Sequence, residues 1–492
     1  NYLPSQVKSR SWIFISDVLK QDTMRRTIVN DPLYRQRIID GLKDIPTLSL
    51  VTDSSNLYGS TGIFDNYSQS GEAWERPVSV ELIDPKGGEE FDIYAGLRIR
   101  GAVGRSAPKK SLRLLFGTSY EGNLLFPLFG DEGVSEFSKV DLRAEQNNSW
   151  SSNVDAPWQN TFAREVFSRD AQRDMGELYT RSRYYHLYIN GTYWGLYQSQ
   201  ERGEADFASS YEGGQPDDWD ALKTSSARVI EVKDGTPDAY IQFYEYARNG
   251  FSGEFEENYW KVLGLKPDGS RDPACPILLD EENLIRYILT TLYTADVDCP
   301  LSWINVVNNV NAVYNRANPA GFQWLKHDTE LSLGAFLGVE DSIEYFKNST
   351  YWSRWSDFNP MDLHRRLMQH PEYYQKFIDL ARKEYQAGGT FSYENSLERW
   401  NTRVETIERP VVAESARWGN QWGGRYTYET WKSACHLVTD AFLVGREYEM
   451  FPILRKHGWY PSVEAPGLSL ENEGEDSLVK IRTADAPIYF TL

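Results

Sequence analysis

The sequence has few cysteines and no long apolar run, and these absences exclude several classes of protein. Its three cysteines, Cys275, Cys299 and Cys435, stand far apart and lack the C-x-x-C spacing of zinc or redox sites. At most one disulfide can form, so cysteine usage does not indicate a cellular compartment. No apolar run approaches the roughly 18 residues of a membrane span. We expect no span in this chain, and any export signal to have been removed or to lie outside this piece.

Positive charge is also in deficit. The 492 residues contain 52 Lys and Arg against 71 Asp and Glu, a formal net charge of −19. Sequence-independent binding to DNA or RNA depends on neutralising phosphates, so we expect no nucleic-acid partner. The six histidines show no HExxH motif or paired ligand spacing, which disfavours a zinc site. What is abundant is aromatic side chains, 14% of the chain, which supply a core and stacking surfaces.

The local patterns divide the chain into four parts. Residues 1–44 read as a leader packed on the main domain, 45–238 as a β-rich part with one helix, 239–460 as a helical part with a small hairpin, and 461–492 as the start of a further β module. Asn190-Gly191 between alternating apolar runs predicts a tight hairpin. The spacing predicts helices over Thr161–Met175, Ala239–Ala247, Asp280–Ala295, Pro360–His370, Pro371–Gln386, Ser392–Trp418 and Glu429–Phe451.

One basic segment can form an anion cradle. In RIRGAVGRSAPKKSLRLLF, residues 98–116, a strand leads into a loop with two glycines flanked by Arg100 and Arg105. The next strand opens with Lys109 and Lys110. Backbone N–H groups and fixed cations arranged in this way bind phosphate oxygens. A basic surface hairpin is the alternative for this segment taken alone.

A second segment offers carboxylate and amide oxygens. Asp298 follows an apolar helix, an Asn-rich loop follows with Asn309, and Asp328 ends the β-rich run GFQWLKHD. Phosphoryl transfer to a hydroxyl needs one carboxylate to orient the hydroxyl, and oxygen ligands for the Mg²⁺ that bridges the phosphates. These residue types meet that need. Turn-forming Asn and solvated or capping Asp residues are the alternative.

The order of these parts is that of a protein kinase. It runs from the glycine-containing loop through the Lys on the next strand, a helix with Glu165, a hairpin, an acidic exit at Glu201 and a helical region to Asp298, Asn309 and Asp328. The usual motifs GxGxxGxV, VAIK, HRD and DFG are absent from the sequence. We therefore expect an α+β, two-lobed atypical protein-kinase-like fold, with a β-rich N-lobe and a mostly helical C-lobe.

Several longer stretches resemble the CotH kinase family, the atypical kinases named after spore coat protein H. They are IPTLSLVTD, WERPVSVELID, AGLRIRG with PKKSLRL, LYINGTYWGLYQSQER, DFASSYEGG with DDWDALK, KHDTELSLG and VAESARWG. They are spread over most of residues 45–462. The pattern is similar to that of large secreted multidomain bacterial proteins, which implies a secreted or cell-surface location.

The resemblance implies a role for individual residues. It makes Lys110, or its neighbour Lys109, the phosphate-contacting lysine and Glu165 its helix partner, with Asp298 the catalytic aspartate. Arg105 and Glu201 join the ATP-binding set.

Asn309 and Asp328 become ligands of Mg²⁺ or Mn²⁺. The spacer between Asp298 and Asn309 is longer than the family pattern, which leaves Asn305 or Asn308 as alternative ligands. His327 stands where the family often has Trp and reads as a structural neighbour. Arg143 and Arg164 match family positions and either approach the phosphates or form structural ion pairs.

The function that follows is transfer of the γ-phosphoryl group of ATP to Ser or Thr hydroxyls of a partner protein at the surface or outside the cell. Two rival functions remain open at this stage. One is a catalytically inactive kinase-like scaffold or adhesion module. The other is a different ATP-dependent transfer, such as AMP transfer or ligation to a carboxylate.

Overall fold

The computed structural model describes residues 9–482 apart from 146, 153–155, 305, 336–339, 347–352, 422–424, 463–466 and 474–475. The chain is 40% helix and 18% strand, which confirms the α+β class. None of the helices described is long and apolar enough to cross a membrane.

A closed seven-stranded barrel forms the first half. The strands of this half are β1 (Thr47–Val51), β2 (Arg76–Ile83), β3 (Phe91–Ile99), β4 (Leu112–Leu115), β5 (Leu124–Leu125), β6 (Glu136–Phe137), β7 (Lys139–Arg143), β8 (Ser182–Ile189) and β9 (Thr192–Gln200). The barrel order is β1-β2-β3-β4-β7-β9-β8, and β5 pairs with β6 separately. Only β1 with β8 is a parallel pair in this barrel; the others are antiparallel.

Alternation along the barrel strands decides which side chains face the site. Val140 and Leu142 of β7 lie in the barrel core, so Asp141 and Arg143 lie on the outer face. The predicted hairpin is confirmed between β8 and β9, where Asn190 and Gly191 have φ of 48° and 76°. These positive values are those of a type I′ turn.

A second, four-stranded sheet packs beside the barrel. Its strands are β10 (Trp219–Thr224), β11 (Ile230–Asp234), β12 (Asn311–Asn315) and β13 (Gln323–Leu325), in the order β11-β10-β12-β13. Lys223 pairs with Asn311, and Asn311 with Leu325, so these residues form one row across the sheet. In the region predicted to open a β module, β14 (Gly467–Glu473) pairs with β15 (Asp476–Arg482), and residues 483–492 lie outside the described part.

The helices of the described residues are α1 (Ile15–Val18), α2 (Arg26–Val29), α3 (Pro32–Gly41), α4 (Ser54–Leu57), α5 (Arg164–Asp174), α6 (Ala205–Glu212), α7 (Asp238–Asn249), α8 (Glu257–Val262), α9 (Glu281–Thr294), α10 (Ser342–Phe346), α11 (Pro360–Leu367), α12 (Pro371–Tyr385), α13 (Tyr393–Ile407), α14 (Pro410–Trp418), α15 (Tyr428–Leu437) and α16 (Arg446–Lys456). The central one is α9, whose Asp280 cap accepts from Asn283 N and whose residues are nearly all buried. The N-terminal segment packs on the rest: Arg25 N donates to Ala416 O, and His186 Nε2 lies 2.9 Å from Gly41 O.

Two predicted helices are each divided in the structure. The one predicted over Ser392–Trp418 is α13 and α14, because Pro410 has no N–H to continue the helix and starts a new one. The one predicted over Glu429–Phe451 is α15, a π-helical turn at Val438–Phe442, and α16. Gly445, with φ of 77°, makes the second break.

Candidate active site

Three polar segments meet where the second sheet approaches the barrel. One follows α9 and carries Asp296 and Asp298, one precedes β12 and carries Asn309, and one follows β13 and carries Asp328. The Nδ2 of Asn309 donates to the backbone oxygen and to Oδ2 of Asp298, both at 3.2 Å, and lies 3.4 Å from the backbone oxygen of Asp328. The predicted Asp-Asn-Asp set is therefore one cluster.

The backbone bends tightly at two members of this cluster. Asn309 and Asp328 both have positive φ, 54° and 57°. Non-glycine residues in this region are uncommon, and Asn and Asp are the ones that tolerate it best. The Oε1 of Glu165, on α5, accepts a hydrogen bond from Asp328 N at 3.3 Å and so supports the turn.

Asp298 is held mostly in its protonated form by its surroundings. Burial, together with the neighbouring carboxylates of Asp296 and Asp328, raises its pKa to about 8. Asp296 is fully buried, 3.5 Å from Lys326 Nζ, and burial raises its pKa to about 6 despite that lysine. A cluster of carboxylates that resists ionisation in this way is one that a divalent cation would stabilise.

Asp328 behaves in the opposite way because a guanidinium reaches it. Its Oδ1 lies 2.5 Å from Arg143 Nη2, and the same nitrogen pairs with the fully buried Glu330. Burial opposes ionisation of Asp328, but the charges of Arg143 and Arg100 outweigh it and lower the pKa. Asp328 is therefore a carboxylate at neutral pH, and its side chain keeps 32% of its surface exposed.

Beside this cluster lies a cavity whose lining holds three cations and three carboxylates; we call it the cationic cavity after the three cations. Its walls include Asp141, Arg202, Lys223, Asn311, Lys326 and His327. Asp141 pairs at once with Arg113 at 2.6 Å, Arg100 at 3.0 Å and Arg202 at 3.1 Å. Burial and the charges of Arg202 and Arg100 lower the pKa of Lys223 well below its usual range. Burial and the neighbouring cations thus disfavour the ammonium of Lys223, which a bound anion would stabilise.

His327 lies at the border between the cavity and the carboxylate cluster. Arg100 Nη2 donates to its Nε2 at 3.2 Å, which requires a neutral acceptor nitrogen. Burial and the charges of Lys223 and Arg100 lower the pKa of His327 well below its usual range. The structure therefore supports the prediction that His327 is a structural neighbour rather than a proton carrier.

A second pocket, which we call the aromatic pocket, opens from the cationic cavity. The two share Glu201, Arg202 and Glu204. The apolar lining comes from Val134 and Phe137 next to and on β6, and from Phe207 and Tyr211 on α6. Tyr211 Oη donates to Glu201 Oε1 at 2.5 Å, and Arg181 pairs with the other oxygen of the same carboxylate at 3.4 Å.

A family model described as CotH kinase protein matches residues 97–438, more than two thirds of the 492-residue chain. The chain belongs to the CotH kinase family. The cluster of Asp298, Asn309 and Asp328, the cationic cavity and the aromatic pocket all lie within the CotH region. No curated protein matches the chain.

The two predicted phosphate lysines of the CotH site have contacts elsewhere. Lys109 is fully buried, with Nζ 2.6 Å from Glu414 Oε1 on α14 and 2.7 Å from Leu196 O. Lys110 Nζ donates to the carbonyls of Arg105 and Ala107, and burial followed by the Arg105 charge lowers its pKa to about 8. Their phosphate-contacting role stays a prediction that these contacts do not favour.

The expected ion pair between Lys110 and Glu165 does not form in the described structure. Glu165 instead pairs with Arg169, one helical turn later, at 2.7 Å. A carboxylate at the start of α5 and an arginine at i+4 lie on the same helix face, and the pair is local. Glu165 still belongs to the site because it binds Asp328 N.

The other predicted residues have clear structural contacts. Arg105 donates to the carbonyls of Tyr67, Ile99 and Gln69 and so holds the loop before β2. Arg164 is buried and donates to Gln159 O and Thr161 Oγ1 at the start of α5. Arg143, by contrast, lies in the site itself.

Of the alternative metal ligands, Asn308 also hydrogen-bonds to Asp298 through its side chain. Asn305 lies outside the described residues.

Sequence reasoning gave no role to Lys223 or Arg202, and treated Arg100 only as a flank of the glycine loop. A signal was present, since Lys223 is the penultimate residue of the strand WDALKT and Arg202 is the second residue after β9. Charged residues near strand ends are common, however, and only the pairing of Lys223 with Asn311 shows that it lies in the row that ends at Leu325, two residues before His327.

Proposed function

We propose that this CotH-family protein is an ATP- and Mg²⁺- or Mn²⁺-dependent kinase, built of two lobes, that phosphorylates Ser or Thr residues of a partner protein. The observation that carries the proposal is the convergence of Asp298, Asn309 and Asp328 beside a cavity whose lining includes Arg202, Lys223 and Lys326. Phosphoryl transfer requires oxygens that orient the hydroxyl and bind the metal, next to cations that contact the phosphates.

The nucleotide would extend across both pockets. Arg100, Arg202 and Lys223 would contact the phosphates in the cationic cavity, where Lys223 gains most because its ammonium is disfavoured by the neighbouring cations. The base would enter the aromatic pocket between Phe137, Phe207 and Tyr211. Glu201 lines both pockets and would contact the nucleotide where they meet.

The metal fits the donor set of the cluster. Asp328 is ionised and partly exposed, and the Asn309 amide adjoins both aspartates, so these two residues would hold the ion as predicted. Hard oxygen donors of this kind suit Mg²⁺ or Mn²⁺. When bound, the ion would supply positive charge that neutralises the phosphates.

Asp298 would act on the acceptor. Its carboxylate accepts the proton of a Ser or Thr hydroxyl while the hydroxyl oxygen forms a bond to the γ-phosphorus. The bond from that phosphorus to the β–γ bridging oxygen breaks, and ADP leaves. A pKa of about 8 before the ion binds would fall once a cation lies beside the carboxylate, which would free Asp298 to act as a base.

The direct test uses ATP labelled at the α or the γ position, Mn²⁺ and a degenerate library of Ser and Thr peptides. Label from the γ position on Ser or Thr, lost in Asp298→Asn but not in the exposed-site control Asp22→Asn, is the expected result. Label from the α position would indicate AMP transfer instead. Binding of metal-ATP without transfer to any acceptor would favour the scaffold. We also propose that the acceptor is a bacterial protein at the cell surface or outside the cell.

A further inference from the structure

Between Asp298 and Asn309, the described residues on either side of position 305 pair with one another as the two arms of a short hairpin. Asn308 N donates to Pro300 O and Ser302 N to Val306 O, both at 2.9 Å, and Leu301 forms an antiparallel bridge with Val307. Leu301 and Val307 are buried at the base of this hairpin. The segment is therefore a built element, anchored directly beside the carboxylate cluster.

The tip of this hairpin presents two large apolar side chains to solvent. Trp303 and Ile304 are each 47% exposed, although both types are usually buried. Within the part of the chain that the structure describes, no other two consecutive large apolar residues are this exposed. Exposed apolar surface next to a reaction site is typical of a surface that binds a partner.

A contact outside the hairpin fixes the direction of the tip. Arg228, in the turn between β10 and β11, donates to Ser302 Oγ at 3.0 Å, and Ile304 N donates to the same oxygen at 3.3 Å. Arg228 is also close enough to Asp298 for its charge to favour the carboxylate. Arg228 thus interacts both with the hairpin, through Ser302, and with Asp298, the carboxylate that would orient the acceptor.

The chemistry of the tip selects for an apolar partner. Residues 299–315 contain no Asp, Glu, Lys or Arg, in a chain that is 25% charged. Electrostatic attraction therefore cannot come from this segment, and burial of Trp303 and Ile304 is what it offers. A membrane surface rich in anionic lipid is disfavoured by the net charge of −19.

We infer that the Trp303–Ile304 tip docks the acceptor protein, by binding a large apolar side chain a few residues from the Ser or Thr that is phosphorylated. This inference rests on the proposed kinase function. Trp303 follows Asp298 by five residues, so the tip lies at most about 18 Å from the carboxylate along the chain. An extended acceptor segment covers that distance in about five residues. The apolar residue is therefore expected within five positions of the acceptor hydroxyl.

The test uses two peptide series with one central Ser, in which a single Leu or a single Ala occupies each of the six positions on either side. The wild-type chain, with γ-labelled ATP and Mn²⁺, is expected to label the Leu peptide about tenfold more than the Ala peptide at one offset within five positions of the Ser. The Trp303→Ser/Ile304→Ser variant is expected to reduce that ratio to about one through a raised KM. Trp303→Phe/Ile304→Leu is expected to restore it.

The matched control is Trp12→Ser, because Trp12 is 77% exposed beside Ser11, which binds Glu81 and Ser49 on β2 and β1. It is expected to keep the full ratio. Equal labelling of the Leu and Ala series by the wild type, no labelling of any peptide while metal-ATP still binds, or an unchanged ratio in the double variant would each overturn the inference. Failure of the wild type to bind metal-ATP would instead overturn the proposed function.

A second copy of the chain is the other candidate occupant. Sedimentation velocity separates the cases: dimers that the double variant dissolves would assign the tip to self-association and overturn the docking inference. A monomer in both, with the altered peptide ratio, supports it.

Discussion

Neighbouring lysines in this protein have different environments, and the difference is invisible in the sequence. Lys109 and Lys110 stand side by side in PKKS, yet Lys109 is sealed in an ion pair with Glu414 and Lys110 binds carbonyls of its own loop. The sequence offers no way to pair residue 109 with residue 414. It was possible to predict that Asp298, Asn309 and Asp328 act together, because their types and order were distinctive, but the lysine that faces the cavity was not predictable.

Lys109→Ala is expected to lower the free energy of unfolding by about 3–5 kcal/mol, because it leaves Glu414 buried without its partner. Chemical denaturation measures this. Lys110→Ala is the matched control: Lys110 is also buried, but its ammonium binds neutral carbonyls and lies over aromatic rings instead of pairing with a carboxylate, so a smaller loss is expected. Equal losses in the two variants would contradict the structural role of the Lys109–Glu414 pair.

Asp298 predicts a pH dependence whose sign follows from its raised pKa. In the metal-free fold it keeps its proton up to about pH 8, whereas in the unfolded chain it loses it near pH 4. The folded state therefore binds more protons between these values, and stability falls as pH rises through this window. In EDTA, the melting temperature should fall less between pH 5 and pH 8.5 for Asp298→Asn than for the wild type. Parallel losses would show that Asp298 is not perturbed.

At the scale of elements, the apolar periodicity and turn residues predicted most helices and the β8–β9 hairpin. The helix predicted over Asp280–Ala295 is α9 to within one residue at each end, because the Asp280 cap marks its start. The barrel closure was not predictable, since the parallel pairing of β1 with β8 joins strands far apart in the chain. Closure by distant strands depends on tertiary packing rather than on any local signal.

The packing of α14 on β9 depends on a residue with no side chain. Gly195 has φ of 132°, and a Cβ there would lie 2.4 Å from Glu414 Oε2 and 2.9 Å from Trp418 Nε1. Gly195→Ala is expected to displace the Lys109–Glu414 pair and lower the melting temperature strongly. Gly445→Ala, with positive φ but open space around the position, is the control and should cost only about 1 kcal/mol. Similar losses would indicate backbone strain alone.

At the scale of the whole molecule, charge is distributed against its average. The chain carries a net −19, yet Arg100, Arg113, Arg202 and Lys223 gather around the carboxylate of Asp141, and among these cations Arg202 also pairs with Glu204. The acidic surface of the protein repels a polyanion such as ATP unless the negative charge of the ATP is partly neutralised. We therefore expect the divalent cation and the nucleotide to bind together.

Calorimetric titration of ATP into the whole chain, with Mg²⁺ or with EDTA, measures this coupling directly. The wild type is expected to bind ATP only with Mg²⁺. Lys223→Ala should weaken binding about tenfold or more through the lost phosphate contact, and more than Lys110→Ala does. Asp328→Asn should abolish the Mg²⁺-dependent binding of ATP while the fold persists, whereas the control Asp22→Asn, at a fully exposed side chain, should bind as the wild type does. Equal affinity with Mg²⁺ and with EDTA, or unchanged binding in both Lys223→Ala and Asp328→Asn, would contradict the account.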